Sequence, residues 1–86
     1  MTSRRRLHHS PDLEVRLLMK RVIEKLAERV KALRKARGWI QPVLARKAGL
    51  SEGYLARLET RRHDPRLTTL VALAKALRVD VAELLK

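Results

Sequence analysis

The amino-acid sequence predicts an all-α fold, a compact bundle of five helices whose first helix is extended at its amino-terminal end. Three observations lead there. Hydrophobic residues make up 45% of the 86 positions but aromatic residues only 2%, with no Phe or Cys. A core drawn from Leu, Val, Ile and Ala favours helices over sheets. Met19, Ile23, Leu26, Val30 and Leu33 recur at alternating intervals of four and three, which lines them up on one side of a helix. Finally, Gly38, Gly49 and Ser51 punctuate the chain as helix stops and starts. This length allows one domain with a small core.

Residues 1–9 precede any periodic pattern. They carry Arg4, Arg5, Arg6, His8 and His9 without apolar partners, and so read as a flexible basic arm or a solvated tail. Ser10 can cap a helix that opens with Pro11, where Asp12 and Glu14 complement the positive end of the dipole. That helix runs to Arg37 and stops at Gly38, a length of about 40 Å at 1.5 Å per residue. A domain this small does not need so long a helix, so residues 10–25 read as an amino-terminal helical extension and residues 26–86 as the domain proper. Leu13, Val15, Leu17, Leu18 and Met19 point in nearly all directions around the extension. A helix apolar all round is covered by something, which makes Leu13, Val15, Leu17, Leu18 and Val22 candidate dimer or partner contacts.

The remaining helices are short. Gln41 to Ala48 forms the second, with Pro42 tolerated in the first turn, and Gly49 ends it. Ser51 caps the third, Glu52 to Glu59. Only Gly49, Leu50 and Ser51 separate the two helices, a three-residue turn that forces them to cross steeply in the layout of a helix-turn-helix. A polar loop follows, Thr60 to Arg66. Leu67, Leu70, Leu73, Ala74 and Leu77 form a fourth apolar stripe ending near Arg78. Asp80 and Glu83 make a capping-box pattern ahead of a last short helix with Val81, Leu84 and Leu85.

Charge narrows the function classes. With 21 Lys and Arg against 9 Asp and Glu, the net charge is +12, which attracts a polyanion. It is unevenly spread: +8 over residues 1–37, +3 over 38–66 and +1 over 67–86. Nucleic acid is the leading partner. An anionic membrane surface would suit a basic amphipathic first helix but leaves residues 38–85 unexplained, and charges interrupt every apolar run. The absence of Cys excludes disulfides, thiolate metal sites and cysteine nucleophiles. His8 and His9 are adjacent rather than four apart, and His63 is isolated, so no metal site is expected. No phosphate-cradling Gly-rich loop or nucleophile–base constellation is present, so neither an enzyme nor a cofactor is expected.

Arg34, Gln41, Leu44-Ala45, Gly49, Ser51, Tyr54-Leu55, Leu58-Glu59, Pro65 and the run Leu73–Leu77 together resemble the phage repressor and Cro type of helix-turn-helix protein, the xenobiotic-response-element family. The resemblance covers residues 26–85. It implies a repressor-like DNA-binding domain at 26–86 that reads the major groove with helix 52–59. It places Ser51, Glu52, Gly53, Tyr54 and Arg57 toward DNA and Leu55 and Leu58 toward the core. Gln41 would lie beside the DNA backbone and brace the recognition helix, while Arg61, Arg62 and His63 would approach phosphates. Arg34 and Glu59 would form an internal ion pair. Three positions depart from the family pattern: Ile40 replaces a common Thr cap, Pro42 a polar residue and Arg61 a common Gly.

Each residue also has a plainer reading. Arg57 is a base reader, with guanine the first choice, or a solvated helix residue. Glu52 accepts from cytosine or merely complements the helix dipole. Gly53 has no side chain to read a base but lets the backbone approach the groove. Tyr54 bonds a phosphate or packs over the turn. Trp39 reads as a core or rim residue rather than a stacking platform. The expectation is a cytoplasmic, nucleoid-associated repressor that binds a palindromic operator in double-stranded DNA as a homodimer. The rival is an antitoxin whose apolar extension also binds a protein toxin.

Overall fold

The computed structural model describes residues 11–60 and 64–86, which form five helices and no strand. They are α1 (Pro11–Ala36), α2 (Gln41–Ala48), α3 (Glu52–Glu59), α4 (Leu67–Leu77) and α5 (Val81–Leu84). The all-α class, the helix number and the long first helix agree with the sequence expectation. The basic arm and the Ser10 cap lie outside the described residues.

Each helix contributes to one aliphatic core. Leu26 and Val30 of α1, Leu44 and Ala45 of α2, Leu55 and Leu58 of α3, Leu73, Ala74 and Leu77 of α4, and Leu84 of α5 are buried together. The second helix packs on α3 and α4, and α1 lies across α3, α4 and α5. Fully burying one Leu stabilises by roughly 1.5–3 kcal/mol, so seven buried leucines supply the main driving force for a core this small.

Three of the helices end by the same device. Gly38 and Gly49 take φ of +70° and Arg78 takes φ of +59°, all in the left-handed region. In each case the next N–H bonds back to a carbonyl five residues earlier: Trp39 to Arg34 at 3.2 Å, Leu50 to Ala45 at 2.8 Å, Val79 to Ala74 at 3.0 Å. Carbonyls at the helix ends are thereby satisfied, and the chain turns sharply. Glycine suits the first two. Arg78 adopts the conformation despite its Cβ.

Two expectations need correction. Leu67 is not part of the buried stripe and is 70% exposed, because it stands at the first position of α4, before that helix reaches the core. The capping box at Asp80 does not form: the Asp80 side chain makes no capping bond. Glu83 is drawn instead toward Lys86, 3.3 Å away, and toward α1, where Arg29 Nε donates to the Glu83 carbonyl at 3.1 Å and Arg29 Nη2 lies 3.7 Å from Oε1. That carboxylate oxygen has no hydrogen bond, so the 3.7 Å approach is an ion pair without one.

The first helix leaves the bundle toward its amino terminus. Every residue from 11 to 22 is exposed, Ile23 is half-buried, and continuous burial starts at Leu26. Met19, though aligned with Leu26 and Val30, is therefore 40% exposed. A groove of about 340 Å³ runs along this segment, lined by Val15, Met19 and Ile23 with Asp64 from the loop before α4.

Candidate nucleic-acid interface

The turn between α2 and α3 is fixed at both sides. Gly49 terminates α2, and the Ser51 hydroxyl accepts from the Tyr54 N–H at 3.0 Å, holding the first turn of α3. Leu55, Leu58 and Glu59 face inward and are buried. The opposite face carries Glu52, Gly53 and Arg57, all exposed. Tyr54 lies between the two faces, half-buried, with its ring packed on the core. The structure thus brings Ser51, Glu52, Gly53 and Arg57 onto one outward surface at the start and flank of α3.

Beneath that surface lies a charged network. Arg34 Nε donates to Glu59 Oε2 at 2.8 Å and Nη2 donates to Oε1 at 3.0 Å, a bidentate pair whose side chains are 9% and 2% exposed. Arg34 Nη1 donates to the Trp39 carbonyl at 2.7 Å. Gln41 Nε2 donates to Glu59 Oε1 at 3.0 Å. One carboxylate therefore receives three donors and ties the end of α1, the start of α2 and the end of α3 into one frame. The parallel fork of a guanidinium on a carboxylate adds directional precision to the charge attraction.

Ile40 occupies the N-cap of α2 without a side-chain bond, as the departure from the family pattern implies. Pro42 sits in the first turn, where it removes no helical hydrogen bond. Arg61, Arg62 and His63 lie outside the described residues. The apolar residues Leu13, Val15, Leu17, Leu18 and Val22 are 41–59% exposed on the α1 extension and take no part in the α3 surface. Among the described residues no group of acidic, His or Cys side chains is arranged to hold a metal, and no helix is long and apolar enough to cross a membrane.

Two basic residues carry roles that charge counting misses. Arg37 donates to the carbonyls of Leu33 and Leu77, pinning the end of α1 to the end of α4. Its guanidinium also lies 5.9 Å from the Trp39 ring centroid, and Lys47 Nζ lies 4.9 Å from it. The indole is thus half-buried under two cations, a rim residue with a cation–π role. The available signal was a lone Trp two residues after an Arg, but the partner carbonyls carry no signature in a sequence.

Comparison with known proteins gives a consistent answer. A family profile described as helix-turn-helix matches residues 30–84. The immunity repressor protein of Bacillus phage phi105 is 47% identical over 57 residues, which cover 66% of this chain and 40% of the repressor. Control protein C.SmaI of Serratia marcescens is 39% identical over 62 residues, covering 72% of this chain and 74% of that protein. Among solved structures, the restriction-modification controller protein C.AhdI from Aeromonas hydrophila superposes with a TM-score of 0.70 at 32% identity, over 72% of this chain and 94% of that one. The hypothetical transcription factor NHTF from Neisseria gives 0.73 at 32% identity, over 76% and 75% of the two chains. The chain belongs to the helix-turn-helix family of Cro/C1 (XRE) type, and with it to the non-enzymatic DNA-binding regulators of transcription related to phage repressors and restriction-modification controllers.

Proposed function

We propose that this protein represses transcription by laying α3 in the major groove of a palindromic operator as a homodimer. The observation that carries the reading is the two-faced α3: Leu55 and Leu58 anchor it in the core while Glu52, Gly53 and Arg57 stand outward beside the Ser51-capped turn. Arg57 is the base reader, with guanine its preferred partner through a bidentate contact. Glu52 contributes either a cytosine contact or repulsion of misplaced phosphate. Gln41, held against Glu59, flanks the DNA backbone together with Arg61, Arg62 and His63. The relatives support operator DNA as the partner, since one is named a repressor and two are named controllers.

One recognition helix reads only a few base pairs, and specificity in this architecture comes from two half-sites about 34–36 Å apart matched by protein two-fold symmetry. The exposed residues Leu13, Val15, Leu17, Leu18 and Val22 supply an apolar surface for the second copy. On this division residues 10–25 serve assembly, residues 26–86 bind DNA, and the protein acts on the nucleoid in the cytoplasm. The antitoxin alternative rests on the same apolar surface, which would then cover a toxin instead.

Selection of bound duplexes from a random DNA pool tests the reading. The expected result is an enriched inverted repeat, bound with log affinity falling against log salt by roughly 0.9 per phosphate neutralised. Binding without sequence preference at moderate salt would refute it.

A further inference from the structure

Gly53 is a glycine that its backbone does not require. It is the second residue of α3, and the left-handed glycines are Gly38 and Gly49 only. Any L-residue fits its helical φ and ψ, and glycine is among the poorest helix formers. The turn preceding it is already set by Gly49 and the Ser51 cap. A Cβ built at Gly53 would meet a single neighbour within 4 Å, Nη1 of Arg57, at 3.4 Å. The guanidinium of Arg57 therefore reaches back one helical turn and lies over Gly53, as side chains four residues apart on one face do.

We infer that Gly53 is a specificity-determining position that acts through Arg57, by leaving open the berth in which the guanidinium lies at the leading end of α3. This rests on the proposed entry of α3 into the groove. A methyl group at 3.4 Å is an ordinary contact, so alanine leaves the guanidinium near its place. A longer side chain fills the berth and displaces it from the first turn. Bidentate recognition tolerates little displacement, because two parallel N–H donors must meet two acceptors at once. The role differs from backbone approach to DNA, for which Gly53 would act independently of Arg57.

The test combines duplex selection, affinity titration and thermal melting for the full-length protein and the variants Gly53→Ala, Gly53→Gln, Arg57→Ala and Gly53→Gln/Arg57→Ala. Gly53→Gln is expected to lose discrimination, on the order of ten-fold, at the same base pair that Arg57→Ala loses. Gly53→Ala is expected to lose less at that pair than Gly53→Gln, and the double variant to lose no more there than Arg57→Ala alone. Melting temperatures of both Gly53 variants should equal or exceed the parent's, which separates lost recognition from lost structure. Additive losses in the double variant, a change at a different base pair, or full discrimination in Gly53→Gln would overturn the inference while leaving the DNA reading intact. A selected motif unchanged by Arg57→Ala would overturn both.

Discussion

Arg34 and Glu59 stand 25 positions apart in the chain and meet through two hydrogen bonds of 2.8 and 3.0 Å in the interior of the helix-turn-helix unit. Because both side chains are nearly inaccessible, each depends on the other to offset its desolvation. Removing Glu59 alone strands a buried guanidinium and deprives Gln41 of its acceptor. Glu59→Ala should therefore lose about 3–5 kcal/mol. Glu83→Ala, which breaks partly exposed pairs with Arg29 and Lys86, should lose under about 1 kcal/mol. Denaturant midpoints of the two variants check this, and equal midpoints would contradict it.

The two cap sites should respond differently. Ser51 uses its hydroxyl on the Tyr54 N–H, so Ser51→Ala should cost about 1 kcal/mol. Asp80 makes no side-chain cap bond, so Asp80→Ala should cost at most a few tenths by the same measure. Thermal melts of both variants decide. A larger loss at Asp80 than at Ser51 would reverse the assignment.

DNA contacts should separate into two kinds by salt and sequence dependence. Arg57→Ala is expected to relax preference at one base pair at a cost of roughly 1–3 kcal/mol. Arg61→Ala and Arg62→Ala are expected to weaken all duplexes alike, each lowering the salt slope by about one. Titrations on the selected duplex and a scrambled one, at several salt concentrations, provide both readouts. A uniform loss on Arg57→Ala would make it a phosphate contact instead.

Assembly is testable on the intact chain. Leu13, Leu17 and Leu18 are each at least half exposed, so replacing them by Glu should convert a dimer to a monomer in sedimentation while helix content by circular dichroism stays unchanged. A dimer that survives would move the interface to the carboxyl end, where Leu85, just past α5, is 42% exposed. A parent protein that is monomeric without DNA would favour assembly on the operator or a missing protein partner.

The legibility of the fold tracked how local each cause was. Gly49 and Ser51 define the turn before α3 through their own conformational preferences, and those preferences are visible residue by residue. The buried faces of α3 and α4 follow from helical spacing at Leu55, Leu58, Leu73 and Leu77. Leu67 obeys the same spacing yet stays exposed, since periodicity assigns a face but does not say where along its length the helix meets a neighbour. Glu83 had a local partner in Asp80 and took others instead, the equally local Lys86 and the distant Arg29 across the bundle. The role of Arg37 leaves no mark in the sequence because its acceptors are main-chain carbonyls. The outward position of Glu52 and Gly53 was implied by the family resemblance and that of Arg57 also by its place opposite Leu55 and Leu58, whereas the closeness of Arg57 to Gly53 depends on a side-chain rotamer.

Trp39 is the only tryptophan in the chain, and its carbonyl is one of the acceptors of Arg34 while its ring lies under Lys47 and Arg37. A single indole so placed is a built-in optical gauge of the junction between α1 and α2. Cations held close to an indole alter its emission through their local field, so the fluorescence spectrum reports whether Lys47 and Arg37 are seated. Unseating Arg34 by Glu59→Ala frees the Trp39 backbone, and the emission maximum should move toward that of solvent-exposed tryptophan before global unfolding sets in. The protein thus carries an intrinsic signal for local opening of the frame that supports α3, readable without a label and during DNA titration.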